Sequence, residues 1–182
     1  DATHGREPWV SDGTLAGTVM LKDITSGGSS DIAAFAAIGT QTVFARYNGG
    51  IFFGSLQLWN TDGTEANTSM IKDFGFFSAI FTGFTSYNSK LYFTGTEYLT
   101  TGTELWNTDG TTGGTAIVKD IYSGLQGSNP ILFNSIAING KLMFMATNKD
   151  QGSELWTTDG TGTGTTLFYD INNGKPSATP FI

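Results

Sequence analysis

Only a few side chains of this sequence have the chemistry of a catalytic site. His4 is the single histidine of the chain. With Ser11 and Asp12 it could form a triad in which an imidazole takes the proton of an attacking hydroxyl. The same segment recurs three more times along the chain, and none of those copies has a histidine at the corresponding position. The repeated unit therefore does not need His4, and we predict no catalytic residue in this group.

Two carboxylates recur as a pair and could carry out acid–base chemistry. Glu104 and Asp109 are one example of this pair. Paired acids hydrolyse glycosides when one donates a proton and the other acts as a base or nucleophile. A pair that recurs in most copies fits a role in turns and strand ends better than a role in one active site. Acid–base catalysis is kept as the alternative.

One loop is rich in oxygen ligands of the kind that calcium prefers. It contains Asn148, Asp150, Gly152 and Glu154. The spacing differs from that of an EF-hand loop, and the other copies lack these residues. We therefore predict no metal and no cofactor, with Asp150 as the weak candidate for a ligand.

The elements that must position these residues are set by an internal repeat. A block with a tryptophan three residues before an Asp-Gly pair occurs four times, at 7–23, 57–73, 104–120 and 154–170. The repeated pairs are Trp9 and Asp12, Trp59 and Asp62, Trp106 and Asp109, and Trp156 and Asp159. A period near 50 residues indicates an array of equivalent supersecondary units.

Each repeat is predicted to form four short antiparallel strands. In the third copy these cover about 81–87, 90–96, 104–108 and 115–121. The segment 141–147 is apolar on both faces, which predicts a strand that is buried on both sides. The fold class is therefore all-β, and we predict a β-propeller of about four repeats of four-stranded antiparallel blades, either as a ring or as an arc of a larger propeller.

Turn chemistry supports this prediction. The glycine of each Asp-Gly pair is expected at positive φ, because such pairs connect hairpin strands. A second positive-φ residue is expected five positions after each aspartate. Those positions hold Gly17, Asn67, Gly114 and Gly164.

Composition limits the classes of partner. The net charge is -7 with nine Lys and Arg, so a nucleic-acid backbone is not an expected partner. Cysteine is absent, which excludes disulfides and thiolate metal sites. No apolar run approaches the roughly 20 residues that a transmembrane helix needs.

The repeated block resembles that of a known family. ELWNTDGT at 104–111 and ELWTTDGT at 154–161 are similar to the ELWxxDGT repeat, as is GREPWVSDGT at 5–14. That family comprises bacterial secreted or cell-surface repeat proteins. The resemblance implies a propeller-like fold and an extracellular or cell-surface location, and it implies no catalytic residues. The second copy departs from the repeat at Gln57 and Asn67.

The repeats do not make a whole number of blades. They form one predicted domain, 1–182, with repeats at approximately 1–24, 31–74, 78–121 and 128–171, and 176–182 begins a further strand. The first copy supplies only a third and a fourth strand. An imperfectly closed four-bladed ring and an arc of a larger propeller both fit this count. We expect the chain to be part of a longer protein or a larger assembly.

One repeat has apolar residues where the other repeats are polar. Its loop between the second and third strands contains Ile51, Phe52 and Phe53, and the linker after its fourth strand contains Phe76 and Phe77. In an up-and-down sheet these two connections lie at the same end. Exposed apolar clusters mark contact surfaces, so we predict a partner-binding patch. The alternative is that the five side chains pack together as a local core.

The sequence favours a non-enzymatic extracellular or cell-surface interaction module, used in adhesion or surface assembly, with a protein or a surface glycan as partner. One alternative is a carbohydrate-binding propeller lectin in which the tryptophans stack on sugars. The other is part of a secreted hydrolase whose active site lies on the propeller axis or in sequence outside this chain.

Overall fold

The computed structural model describes residues 3–49, 54–76, 81–132 and 136–171, and all regular structure in these residues is antiparallel β. The strands are β1 (Trp9–Val10), β2 (Val19–Met20), β3 (Ile32–Ile38), β4 (Gln41–Asn48), β5 (Ser55–Thr61), β6 (Ser69–Phe76), β7 (Thr85–Tyr87), β8 (Lys90–Glu97), β9 (Gly102–Thr108), β10 (Ala116–Lys119), β11 (Ala137–Ile138), β12 (Lys141–Asn148), β13 (Gly152–Thr158) and β14 (Thr166–Tyr169).

The strands form four sheets in chain order. The first sheet has two strands, β1 and β2, and each of the other three has four. In the second (β3–β6), third (β7–β10) and fourth (β11–β14) sheets, neighbours in sequence are neighbours in space. The prediction of an all-β chain built from four-stranded antiparallel units is confirmed for these three sheets.

The register is the same in each four-stranded sheet. A phenylalanine on the second strand lies opposite the tryptophan of the third strand. The pairs are Phe44 with Trp59, Phe93 with Trp106, and Phe144 with Trp156. The fourth strand then has a bulge beside the tryptophan in every case. A bulge adds one residue to one strand of a pair and re-aims its side chain.

The Asp-Gly turns form one repeated hydrogen-bond network. In the third repeat Oδ1 of Asp109 accepts from the backbone N and the Oγ1 of Thr111, at 2.9 and 2.7 Å. Oγ1 of Thr115 pairs with Oγ1 of Thr108 at 2.7 Å and donates to the carbonyl of Thr111. Gly110 has φ of +90°, as the hairpin prediction required.

The second predicted positive-φ position is a correction. Gly17, Asn67, Gly114 and Gly164 are not among the residues with positive φ. At the three glycine positions an added Cβ would overlap the carboxylate of the turn aspartate where it now lies. Asn67 fits the second repeat because its Nδ2 donates to Oδ2 of Asp62 at 2.7 Å.

Successive sheets pack face to face through two hydrophobic clusters. One cluster joins the second and third sheets and contains Leu58, Ile71, Leu91, Phe93 and Trp106 among its buried members. The other cluster joins the third and fourth sheets in the same way. In each interface, the face of one sheet that carries the paired phenylalanine and tryptophan packs on the preceding sheet. At the first interface, Phe93 and Trp106 pack in this way with Leu58 and Ile71 of the second sheet.

Burial of the second strands depends on these interfaces. In β8 the side chains from Leu91 to Thr96 are buried on both faces, as predicted for such strands. In β12 the residues Met143 and Met145 are only partly buried. The prediction of burial on both sides is therefore wrong for β12, because its outer face is not packed on another sheet of the described chain.

Candidate functional site

A recurring glutamate on the third strand binds the linker that follows the fourth strand. In the third repeat the carboxylate of Glu104 accepts hydrogen bonds from the backbone N of Ile121, Tyr122 and Ser128. These bonds fold the linker back against the sheet. Glu154 accepts from Ile171 N at 2.7 Å in the same way. The recurring glutamate therefore fixes the exit from the fourth strand.

The second repeat has Gln57 at this position. Its Nε2 donates to Oδ2 of Asp73 at 2.7 Å, and its Oε1 accepts from Nε1 of Trp59. The Gln57 side chain is therefore bonded to residues of its own sheet. β6 continues to Phe76, which pairs with Ser55, whereas β10 and β14 are only four residues long.

The extended end of β6 forms one wall of an apolar groove. The groove has a volume of about 580 Å³ and is lined by 73–76 of the second sheet and 97–100 of the third. Phe76 is 74% exposed, and Tyr98 and Leu99 are 58% and 82% exposed. We call these three residues the apolar rim. Exposed apolar side chains that converge in this way mark an interaction surface.

A paired charge lies beside the groove. Nζ of Lys72 is 2.7 Å from Oε1 of Glu97, and both side chains are about seven-tenths buried. The same ammonium lies 5.0 Å from the ring centroid of Trp106 and 5.3 Å from that of Phe74. Cation–π contacts and the ion pair together hold β6 of the second sheet against β8 of the third. The two walls of the groove are therefore fixed relative to each other.

The predicted partner-binding patch is only partly described by the structure. Phe76 is on the apolar rim, while Ile51, Phe52, Phe53 and Phe77 lie outside the described residues. Tyr98 and Leu99 were missed by the sequence analysis, because their loop is mostly polar in composition. The signal that could have found them is that the β8–β9 turn and the end of β6 lie at corresponding ends of neighbouring sheets.

In the candidate triad of His4, Ser11 and Asp12, the serine hydroxyl forms hydrogen bonds with residues of its own turn. Oγ of Ser11 pairs with Oγ1 of Thr18 at 2.6 Å and accepts from Gly13 N. Oδ1 of Asp12 accepts from the backbone N and Oγ1 of Thr14. These bonds are those of the repeated turn, so Ser11 and Asp12 have the same structural role as their counterparts in the other repeats.

The candidate acid pair is divided between two environments. Burial raises the pKa of Glu104, although hydrogen bonds from Ser128 and the linker oppose the rise. Hydrogen bonds from Thr111 lower the pKa of Asp109. Glu104 lies within β9, while Asp109 lies in the turn that follows it. The Glu104 carboxylate binds the linker after β10 and the Asp109 carboxylate binds Thr111 of the turn, so the two side chains serve different parts of the repeat.

The oxygen-rich loop is a turn. Oδ1 of Asn148 accepts from the backbone N of Asp150 and of Gln151. Asp150 is exposed, while Glu154 is fully buried and bonded to the linker after β14. Within the residues that the structure describes, no three histidine or acidic side chains are grouped as metal ligands.

The tryptophans occupy unequal environments. Trp106 and Trp156 are 5% and 6% exposed and belong to the two clusters between sheets. Trp9 is 48% exposed, because β1 and β2 form the first sheet of the described chain. The rings of Trp106 and Trp156 are therefore not available for stacking on a sugar.

Comparison with known proteins gives no family. No family model matches the chain, and no curated protein matches it. Among solved structures it is similar to the computationally designed Ika4 protein, at 13% identity and a TM-score of 0.43, over 92% of this chain and 79% of that one. The computationally designed Ika8 protein is 15% identical with a TM-score of 0.42, over 87% and 40% of the two chains.

An acylaminoacyl peptidase of Pyrococcus horikoshii is also similar, at 13% identity and a TM-score of 0.37. This likeness covers 77% of this chain and 27% of the peptidase. In the part of the chain that is described, no helix has the length and apolar character needed to cross a membrane.

Proposed function

We propose that this chain is a non-enzymatic interaction module of a bacterial extracellular or cell-surface protein, and that the apolar rim is its contact surface. The observation that carries the proposal is the convergence of Phe76, Tyr98 and Leu99 around one groove. Three large apolar side chains in water are unfavourable unless another surface covers them.

The rest of the proposal concerns the scaffold. The repeated strand order and the equivalent sheet-to-sheet contacts support a propeller-like arrangement, either a ring or an arc. The ELWxxDGT blocks support membership of the family of secreted and surface-attached repeat proteins. Rigid repeated sheets with variable connections at their ends suit a module whose loops make the contacts.

Display on the surface of a non-adherent bacterium tests this function. Cells displaying the chain are expected to attach to protein-coated surfaces or to one another. The variant with Phe76→Ser and Leu99→Ser is expected to lose most of this attachment, because it removes the apolar contact area without touching the clusters between sheets. Leu15→Ser is the matched control, since Leu15 is 96% exposed and lies in a turn of the first repeat.

Three results would count against the proposal. If cells displaying the chain, cells displaying the rim variant and cells displaying neither attach equally, the apolar rim is not a contact surface. Unfolding of the rim variant, measured by its thermal transition, would show that these residues belong to a core. Binding on a glycan array by the wild type and the rim variant alike would instead favour a lectin.

A further inference from the structure

The Asp-Gly turn of the second repeat carries an acceptor sequence for N-linked glycans that the other three turns lack. Asn67-Thr68-Ser69 is the one place in the sequence where serine or threonine follows two residues after an asparagine. Such a tripeptide, with no proline in the middle, is the acceptor of N-glycosylation in secreted proteins. Glu65 adds an acidic side chain two residues before Asn67, and bacterial oligosaccharyltransferases recognise an acidic residue at that position.

The hydrogen bonds of this turn do not require the acceptor sequence. Oδ1 of Asp62 accepts from the backbone N and the Oγ1 of Thr64 at 2.9 and 2.7 Å, and Oγ1 of Thr68 donates to the carbonyl of Thr64. The third repeat forms the same bonds with other residues at the positions of glutamate, asparagine and serine. Those residues are Thr112, Gly114 and Ala116.

The residues that a transferase reads are on the outside of the turn. Asn67 and Ser69 are exposed, and so is Glu65. Thr68, between Asn67 and Ser69, is buried, and its Oγ1 pairs with that of Thr61 at 2.7 Å. Neighbouring side chains of extended backbone point to opposite sides, so the inward position of Thr68 directs Asn67 and Ser69 to solvent.

The contact between Asn67 and Asp62 is compatible with an attached glycan. Nδ2 of Asn67 donates to Oδ2 of Asp62 at 2.7 Å. A side-chain amide nitrogen carries two hydrogens, and N-glycosylation replaces one of them. The remaining hydrogen is enough for the bond to Asp62, so the turn does not have to lose this contact when a sugar is attached.

We propose that Asn67 is an N-glycosylation site, modified by an oligosaccharyltransferase whose donor is a polyprenyl-diphosphate-linked glycan. Nδ2 of Asn67 forms a bond to the anomeric carbon of the first sugar, and the bond from that carbon to the diphosphate oxygen breaks. The polyprenyl diphosphate leaves with the bonding electrons, and one amide proton passes to a base of the transferase. The proposal rests on the extracellular location proposed above, because such transferases act on exported chains.

The glycan and the apolar rim lie at opposite ends of one strand. Ser69 begins β6 and pairs with Asn60, whereas Phe76 ends β6 and pairs with Ser55. A glycan on Asn67 therefore leaves the groove beside Phe76 open, and the chain can carry the glycan and bind a partner at the same time.

Glycosylation of the purified 182-residue protein tests the proposal, with a purified bacterial oligosaccharyltransferase and a lipid-linked glycan. Mass spectrometry is expected to show one added glycan per chain, and peptide mapping is expected to place it on Asn67. Ser69→Ala should abolish the addition and Ser69→Thr should keep it. The third and fourth repeats have alanine and threonine at this position, so both variants retain a residue that the turn already uses.

Two further variants follow the same logic. Glu65→Thr is expected to slow the reaction by about tenfold, through loss of one charge-assisted hydrogen bond to the transferase. Asn67→Gly, which places the residue of the other three repeats in this turn, is expected to carry no glycan. The thermal transition of each variant confirms that it is folded.

A transplanted acceptor sequence tests whether the shape of the turn presents the asparagine. Thr112→Glu, Gly114→Asn and Ala116→Ser together build the same sequence into the turn of the third repeat, whose hydrogen bonds are equivalent. The triple variant is expected to gain a second glycan, on residue 114. A folded triple variant that gains none would show that the turn does not present the acceptor, and would overturn the proposal.

Other outcomes would also overturn the proposal. Modification of a synthetic peptide of residues 60–72 but not of the folded protein would show that the folded turn hides the acceptor. Modification of neither, or equal modification of the wild type and Ser69→Ala, would show that the tripeptide is not recognised. The reaction uses purified components, so its failure leaves the attachment test of the apolar rim unaffected.

Discussion

Replacement of Gly95 by alanine tests the packing between the second and third sheets. An added Cβ would lie 2.7 Å from Cδ1 of Trp106 and 2.8 Å from Cε1 of Phe74. These separations are about 1 Å shorter than ordinary contacts of about 3.5–4.0 Å. Overpacking of this kind costs about 1–3 kcal/mol, and the lower entropy of an unfolded chain with alanine returns about 0.4–1 kcal/mol.

The expected net loss is about 1.5 kcal/mol of unfolding free energy, which lowers the melting temperature of a chain of this size by about 3–6 °C. Thermal unfolding followed by circular dichroism measures it. Gly113→Ala is the matched control, because a Cβ at Gly113 would meet no atom within 4 Å. A change at Gly113 as large as the change at Gly95 would show that the loss comes from the backbone and not from packing.

The interface between the third and fourth sheets shows which pair of side chains fits this position without strain. At the interface between the third and fourth sheets, the equivalents of Phe74 and Gly95 are Ile121 and Ala146, and both belong to the same cluster. The pair Phe74→Ile and Gly95→Ala should therefore restore a packing that the chain already uses. The double variant is expected to be more stable than the sum of the single effects by about 1 kcal/mol. Additive effects would refute the equivalence of the two interfaces.

The Asp-Gly turn gives two further predictions. Gly114→Ala should lower the melting temperature more than Gly113→Ala does, because its Cβ would overlap the carboxylate of Asp109. Gly114→Asn should recover part of this loss, because its amide can make the contact with the turn aspartate that Asn67 makes. Equal melting temperatures for all three variants would contradict this prediction. The pKa of Asp109 is lowered from 3.8 by Thr111, so its contribution to stability is present above pH 3.8 and is lost as the pH falls through the folded-state pKa. Urea unfolding of the wild type and Asp109→Asn should therefore differ at neutral pH and converge in acid, and a constant difference would show that the charge is not involved.

Much of the fold could be predicted from local sequence. Asp-Gly pairs, the alternation of apolar residues and the fixed spacing from tryptophan to aspartate each specify short-range structure, and strands β7 to β10 lie close to the predicted segments. Positive φ was predicted for Gly114, and this prediction was wrong. Positive φ and little room for a Cβ both favour glycine, and only the backbone angle of Gly114 and the position of the Asp109 carboxylate distinguish the two reasons.

The candidate site could be predicted only in part. The apolar character of Phe76 was visible in the sequence, but the contribution of Tyr98 and Leu99 depends on which strand ends become neighbours in different sheets. The sequence also shows that the second repeat has Gln57 where the other repeats have glutamate. Sequence alone does not reveal the hydrogen bond between Gln57 and Asp73.

The sequence by itself determined the repeated unit, its turns and the alternation of side chains, because these features depend on residues that are close in the chain. Only the tertiary structure decided which faces are covered. Phe35 and Phe84 each contact the phenylalanine on the second strand of their own sheet. Phe84 also packs against the cluster between the second and third sheets, whereas Phe35 is 55% exposed. Contact between sheets joins residues tens of positions apart, so the same local sequence becomes core in one repeat and exposed surface in another.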